Sequence, residues 1–269
     1  MKYVVLDKKV GETPLGALEK WRSENPLYAT TPAAYAGRLD PMASGKLLIL
    51  LGEECKRQRA YTNLDKAYEI EVLFDIGSDT GDILGVPTYA KQATQFDTDT
   101  LDQVLQGEIG EHTLAYPAFS SKTVGGKPLF LYALEGALGT IEIPTHTEHI
   151  YSLKQKGVSS VSSRDIRSRI IDLLTRVPRT TEPSKQIGED FRIERIRGAW
   201  ESLFANVRER DFIVLNLRVI CGSGTYMRSL APRLGEALGT KALALSITRT
   251  RIGTYFPLGR WGFWTRTYV

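Results

Sequence analysis

Asp40 stands between Leu39 and Pro41, inside a loop bracketed by Gly37 and Gly45. Proline restricts the backbone of the residue before it, so this carboxylate is presented from a stiff segment. A fixed carboxylate can act as nucleophile or general base. An Asp-Pro pair is also a common turn starter, and the tripeptide alone favours that plainer role. A second candidate is Gly222-Ser223-Gly224-Thr225-Tyr226-Met227-Arg228, between a strand pattern and a helical one. Glycines at such a junction let backbone approach a phosphate, and a helix N-terminus favours an anion. Arg228 falls in the first turns of that helix, where it can pair with a carboxylate or phosphate. The plainer alternative is a Gly-rich turn before a helix whose Leu230, Leu234 and Leu238 face the core. The segment lacks the phosphate-loop Lys-Ser/Thr signature, which argues against nucleotide hydrolysis. Tyr68 shares an apolar strand face with Ile70 and Val72, the pattern of a core tyrosine. An aromatic at the mouth of a cleft can instead stack on an extruded base. His112, His146 and His149 lie at no metal-ligand spacing and receive no role. Cys55 and Cys221 read as small buried hydrophobes.

The elements that must position these residues are legible as patterns. Met1 to Leu6 reads as a strand, and Thr13-Pro14 reads as the capped start of a helix carrying Leu15, Leu18 and Trp21. Thr30 to Gly45, rich in Gly, Pro and small residues, marks an ordered loop before the apolar strand Leu47 to Leu51. Glu53 to Thr62 reads as a short polar helix. Lys66 to Ile76 alternates, with Tyr68, Ile70, Val72 and Phe74 opposite Glu69, Glu71 and Asp75. The cluster Gly77-Ser78-Asp79-Thr80-Gly81-Asp82 is expected to be an irregular turn. A helix near Asp99–Gln106 and strand-like pieces to Leu153 follow. Residues 155–210 differ: a Ser-rich lead-in, an amphipathic helix over Arg164–Arg176, a break from Pro178 to Ser184, and a second helix over Phe191–Val207. Phe212 to Ile220 returns as a strand, and Tyr255-Phe256 to Trp261-Gly262-Phe263-Trp264 is expected to form a C-terminal tail packing on the body. Strands outnumber helices and come in runs, which predicts an α+β fold with a central mixed or antiparallel sheet flanked by helices and loops.

Composition sets the class. The 269 residues are 42% hydrophobic and 25% charged, which excludes a disordered chain, a collagen-like repeat and a disulfide scaffold. No apolar run is long enough to span a bilayer, and the N-terminus has no signal-peptide pattern, so a cytoplasmic location without membrane contact is expected. The net charge of +4 is uneven. Residues 1–154 carry 15 basic and 21 acidic side chains, 155–210 carry 12 and 8, and 211–269 carry 8 and 2. Asymmetry of this kind fits a polyanion-binding face or an unpartnered patchwork surface.

Taken together, four blocks resemble the TruB family of pseudouridine synthases. Gly37-Arg38-Leu39-Asp40-Pro41-Met42-Ala43-Ser44-Gly45, with Leu51-Gly52-Glu53, is similar to the catalytic Asp loop and following strand. Lys66-Ala67-Tyr68 with Gly77 to Asp82 and Gly85 resembles the family's Lys-x-Tyr strand and Thr-Asp-Thr-Gly-Asp turn. Pro117-Ala118-Phe119-Ser120-Ser121-Lys122 with Gly126 to Leu129 and Tyr132-Ala133 resembles its Pro-x-Tyr-Ser-Ala-x-Lys block. Cys221 to Arg228, with Leu230 and Leu234-Gly235, resembles its Lys-Gly-Thr-Tyr-Ile-Arg-Ser-Leu block. Any one is weak; four in order bracket most of the chain outside 155–210.

The resemblance implies a pseudouridine synthase fold and isomerisation of a uridine in the T arm of tRNA, at tRNA position 55, after the base is flipped out. It implies Asp40 as the catalytic carboxylate and Tyr68 as the residue that stacks on uracil and assists proton removal at the sugar. Arg228 would pair with Asp40, Tyr226 would shape the pocket, and Ile247 would supply an apolar wall. Tyr35, where the family often has His, and Lys122 would contact substrate. Such chemistry needs one positioned carboxylate and a dry pocket that retains the base, with no cofactor or metal. Arg38, where the family has a small residue, and Phe119, in place of Tyr, touch RNA contacts rather than the catalytic step. The resemblance further implies a single catalytic domain over 1–269, acting as a monomer. Residues 155–210 would be a helical basic insertion, and the chain stops about where a PUA domain would begin. The alternatives are a synthase acting on another RNA, alone or in a guide-RNA particle, and a noncatalytic RNA-folding factor of the same fold.

Overall fold

The computed structural model describes residues 1–269 except 91–93, 96, 178–191, 260 and 269. Strand β1 (Tyr3–Lys8) leads to helix α1 (Pro14–Glu24), where the Thr13 hydroxyl accepts a hydrogen bond from the Gly16 N–H at 3.0 Å and Pro14 fills the first position. Strands β2 (Ala33–Tyr35) and β3 (Ala43–Leu51) flank the Asp40 loop. A 3₁₀ turn and the short helix α2 (Gln58–Thr62) precede β4 (Asp65–Phe74). Strands β5 (Ile76–Ser78) and β6 (Pro87–Tyr89) form a small ladder, then come α3 (Thr98–Gly107) and β7 (Gly110–Ala115). The miniature pair β8 (Thr123–Val124) and β9 (Lys127–Pro128) is followed by α4 (Leu129–Leu134). The long β10 (Thr145–Ser162), α5 (Ser163–Arg176), α6 (Ile193–Asn206) and β11 (Asp211–Cys221) come next. Helix α7 (Met227–Ala237), β12 (Ala242–Leu258) and β13 (Trp261–Tyr268) complete the described chain.

The main sheet has the order β1-β3-β12-β4-β11-β10-β7, with β2 added on β3 and β13 on β12. Among the described strands β3 and β12 pair in parallel, which aligns Ala43 with Ile247; the other strand pairs are antiparallel. The fold is therefore α+β with a mixed sheet. The apolar run of β3 is explained by burial on both faces. Leu47, Ile49 and Leu51 join the large core with Leu18, Leu101, Ile166, Trp200 and Leu230 from the helices. Leu48 and Leu50 pack on the other face with Tyr61, Ile252 and Tyr268.

Three expectations are corrected. Residues 155–210 are not helical throughout: through Ser162 they continue β10, pairing from Gln155–Leu217 to Ser162–Asp211, because an extended hairpin satisfies both backbones. The break expected from Pro178 to Ser184 lies outside the described residues. The turn at Gly77 is partly regular, since Gly77 and Ser78 pair with Thr88 and Pro87. Of the C-terminal aromatics Tyr255 meets the body, its ring centre 5.6 Å from that of Tyr151, but the segment is not a tail. It forms the β12–β13 hairpin, which continues past the rest of the sheet and leaves Phe256, Trp261 and Phe263 exposed while Tyr268 is buried.

Segment 155–210 also meets the acidic N-terminal part directly. Arg169 pairs with Glu71, Arg192 with Asp79 and Arg210 with the buried Asp75. Part of the charge asymmetry is thus neutralised inside the molecule.

Candidate active site

The Asp40 loop crosses the sheet where β3 and β12 run parallel. Its ends are fixed by backbone hydrogen bonds, Ala43 N–H to the Asp40 carbonyl at 3.0 Å and Gly11 N–H to the Pro41 carbonyl at 2.8 Å. Arg249, on β12, lies beneath it and is 1% exposed. Its guanidinium donates to the carbonyls of Lys46, Arg38 and Gly37 at 2.7, 3.2 and 3.5 Å. Gly45 makes this closeness possible: at φ +99° it puts its α-carbon so near β12 that a Cβ would lie 2.2 Å from the Arg249 carbonyl oxygen.

Asp40 is held from the other side by Arg228, whose Nε donates to Asp40 Oδ2 at 2.8 Å. Nη1 and Nη2 of the same guanidinium donate to the carbonyls of Thr80 and Phe119 at 3.2 and 2.7 Å. The arginine side chain is 6% exposed and the aspartate 47%, so the carboxylate alone of this pair is open to a substrate. Burial works against the Arg228 charge, but Asp40 and Asp82 hold its pKa above the ordinary arginine value. Asp82 itself is buried, which pushes its carboxyl up to about 6 although Arg228 opposes the shift. Its Oδ1 accepts from Leu84 N–H at 2.8 Å and from the Thr80 hydroxyl at 2.9 Å, closing the turn. Gly81 lets this turn touch helix α7, since a Cβ there would be 2.3 Å from the Arg228 carbonyl oxygen.

Around the pair lies a cleft of about 550 Å³, walled by Leu39, Tyr68, Phe119, Tyr226 and Ile247. That volume is in the range of small-ligand sites. Tyr68 lies beside Arg249 in the β4–β12 register. Burial raises its phenol pKa, with Arg249 opposing, and burial likewise raises that of Tyr226, with Arg228 opposing. Lys66 lines the same cleft; its Nζ donates to the Thr62 and Leu64 carbonyls, and burial lowers its pKa to about 8.

Five of the sequence-derived residues thus meet: Asp40, Tyr68, Tyr226, Arg228 and Ile247. Two do not. Tyr35, on β2, packs against the main core opposite Ile49, on the same inward face of the strand as Ala33. Lys122 is exposed outside the cleft with its ammonium 5.0 Å from the Tyr116 ring, where the charge stays hydrated. Sequence reasoning missed Arg249, Asp82 and Arg192 as site residues, and it gave His146 no role. His146 is buried beside the cleft, stacked on Tyr116 at 4.4 Å and edge-on to Tyr226 at 5.4 Å. Arg249 had a signal: it follows Leu245 and Ile247 at period two, a charge where the alternation calls for an apolar side chain.

Residues 26–170 match the family described as TruB family pseudouridylate synthase (N terminal domain). The chain belongs to this family. It is 30% identical over 252 residues to the tRNA pseudouridine synthase B of Aromatoleum aromaticum, covering 94% of this chain and 63% of that protein. The protein of the same name from Azoarcus sp. is also 30% identical, with 65% of its length covered. That from Deinococcus radiodurans is 29% identical over 231 residues, with 84% of this chain and 66% of the relative covered. The chain therefore spans less than two thirds of the length of these relatives. Among solved structures, the "Crystal Structure of a Cbf5-Nop10-Gar1 Complex" aligns with a TM-score of 0.54 at 17% identity, over 94% of this chain and 49% of that one, a likeness of fold. Among the described residues of this TruB-family chain, no helix is long and apolar enough to cross a membrane.

Proposed function

We propose that this protein isomerises uridine to pseudouridine in tRNA, at the T-arm uridine, as a cytoplasmic monomer. The observation that carries the reading is the Asp40–Arg228 pair: a half-exposed carboxylate, fixed by a buried arginine, at the floor of an apolar-walled cleft. In the proposed reaction Asp40 starts cleavage of the bond between the sugar C1′ and uracil N1. The freed base turns in the cleft, C1′ bonds to uracil C5, and the proton lost from C5 is replaced by one gained at N1. No net oxidation occurs.

The residues fit these demands. The detached base must stay in a water-poor seat, and Tyr68, Tyr226 and Ile247 provide apolar walls for it. With its pKa raised, the Tyr68 phenol keeps its proton at neutral pH and offers a neutral ring face for stacking. Arg228 orients Asp40 through a charge-assisted hydrogen bond while its other donors are held by main chain. A uridine inside a folded arm must be extruded to reach this depth.

The test is pseudouridine mapping on a T-arm stem-loop and on full tRNA transcripts. Wild type should modify one T-arm uridine without added partner proteins. Asp40→Asn should form none yet bind RNA as wild type does. No pseudouridine from wild type on any tRNA transcript would sink the enzymatic reading and favour a binding module.

A further inference from the structure

Segment 155–210 reaches the cleft itself. Arg192, just before α6, lines the cleft beside Thr80 and Phe119. Its guanidinium grips Asp79 with both forks, Nη1 to Oδ2 at 2.6 Å and Nη2 to Oδ1 at 3.2 Å. The same group lies 4.2 Å from the centre of the Phe119 ring. Its backbone is left-handed at φ 53°, a conformation disfavoured for a non-glycine residue that persists only where the surroundings enforce it. The enforcement comes from α6. Ile193, Ile196 and Trp200 are buried in the main core, Trp200 Nε1 donates to the Gly85 carbonyl at 3.2 Å, and Ile196 N–H closes the first turn on the Arg192 carbonyl.

The two segments that Arg192 grips are those that hold Arg228. Asp79 precedes Thr80, whose carbonyl takes Arg228 Nη1, and Phe119 supplies the carbonyl that takes Nη2. The third donor of Arg228 carries Asp40. A line of contacts therefore runs from the core helix α6 through Arg192 to two loops, then to Arg228 and the reacting carboxylate. We infer that Arg192 is a positioning residue for the proposed isomerisation: by clamping Asp79 to Phe119 it fixes the two carbonyls that aim Arg228, and through Arg228 it fixes Asp40. The inference rests on the synthase reading of the cleft. It gives segment 155–210 a part in the reaction that its positive charge alone does not suggest. The clamp needs a planar fork that binds a carboxylate bidentately and lies on a ring at once, which lysine cannot do.

The experiment compares wild type, Arg192→Ala, Arg192→Lys, Asp79→Ala and the Arg192→Ala/Asp79→Ala double variant. Single-turnover pseudouridine formation on a tRNA transcript is followed at increasing enzyme, with a thermal melt of each protein and Asp40→Asn as the inactive control. Arg192→Ala should lower the plateau rate roughly 10- to 100-fold, the loss expected when a reacting group is misplaced by about 1 Å. The enzyme concentration at half-saturation and the salt dependence of binding should stay those of wild type. Arg192→Lys should fall with the alanine variant, and the double variant should fall no further than the larger single loss. If Arg192→Ala does not fold, Arg192→Lys decides the matter alone: a wild-type plateau overturns the inference. A full rate in Arg192→Ala, or a loss confined to RNA affinity with a flattened salt slope, also overturns it. A wild type that forms no pseudouridine overturns the synthase reading as well, so the two failures are told apart by the wild-type lane.

Discussion

Replacing Asp82 by Asn should stabilise the protein by about 1 kcal/mol at pH 4.5 and by about 3 kcal/mol at pH 8. Asp82 is 5% exposed and sits behind the Arg228 guanidinium in the Gly77–Asp82 turn. Burial raises its carboxyl from 3.8 to about 6, with Arg228 only partly offsetting the effect. The native chain therefore binds this proton more tightly than the unfolded chain. The contribution of the group to stability is fully present below pH 3.8 and falls as pH rises to 6, beyond which the anion is buried at full cost. A rise from 3.8 to about 6, at 1.36 kcal/mol per unit, amounts to about 3 kcal/mol. About 2 kcal/mol of this is lost between pH 4.5 and 8. Asparagine keeps the acceptor for Leu84 N–H and the Thr80 hydroxyl and carries no charge at any of these pH values. Urea unfolding of both proteins at half-unit steps from pH 4.5 to 8 isolates the share of this one carboxyl, because every other titrating group is common to both. The curves should start about 1 kcal/mol apart at pH 4.5 and diverge through pH 6 to about 3 kcal/mol in favour of Asp82→Asn. Parallel curves, or a variant less stable at pH 8 than wild type, would show that burying this anion carries no such cost.

Two further outcomes are expected. Arg228→Lys should lose at least about 100-fold in pseudouridine formation, since one ammonium cannot serve Asp40, Thr80 and Phe119 together. Chemical denaturation should show a loss of about 1–3 kcal/mol for each carbonyl left unpaired in the interior. The triple replacement Arg167→Gln/Arg195→Gln/Arg208→Gln removes exposed arginines of segment 155–210 that hold no carboxylate among the described residues. It should reduce the slope of log affinity against log salt by roughly 0.7–0.9 for each phosphate no longer neutralised, measured by filter binding of tRNA. An unchanged slope would assign those charges to solubility.

The charge count illustrates how far a sequence carries such a reading. Twelve basic side chains in residues 155–210 suggest a cationic arm for RNA. The structure pairs Arg169 with Glu71 at the surface and turns Arg192 and Arg210 inward onto Asp79 and Asp75 of the acidic N-terminal part. Composition counts charges but does not pair them, and pairing decides what remains for a partner. The strands show the same division. Alternation in β4 places Tyr68, Ile70 and Val72 on one face correctly, whereas the extended reach of β10 to Ser162 is not legible from pattern. Its Ser-rich sequence has little apolar contrast, and its conformation is imposed by the ladder to β11.

Local features follow from the order of residues alone. These are the stiff Asp40–Pro41 presentation, the capped start of α1, the strand periodicities, and the four blocks by which the chain resembles its family. Each depends on neighbours a few residues apart, where backbone sterics and side-chain period act directly. Which side chains meet is settled only by the tertiary fold. Arg228 lies 188 residues from Asp40 and Arg192 lies 113 from Asp79, and periodicity says nothing about such pairs. They form because β3 and β12 run parallel, β12 lies against β4, and a buried α6 carries the residue before it to the rim of the cleft. A guanidinium taken out of water must find acceptors where it lands, and in this fold the available acceptors are the carbonyls and carboxylates of the loops around the cleft.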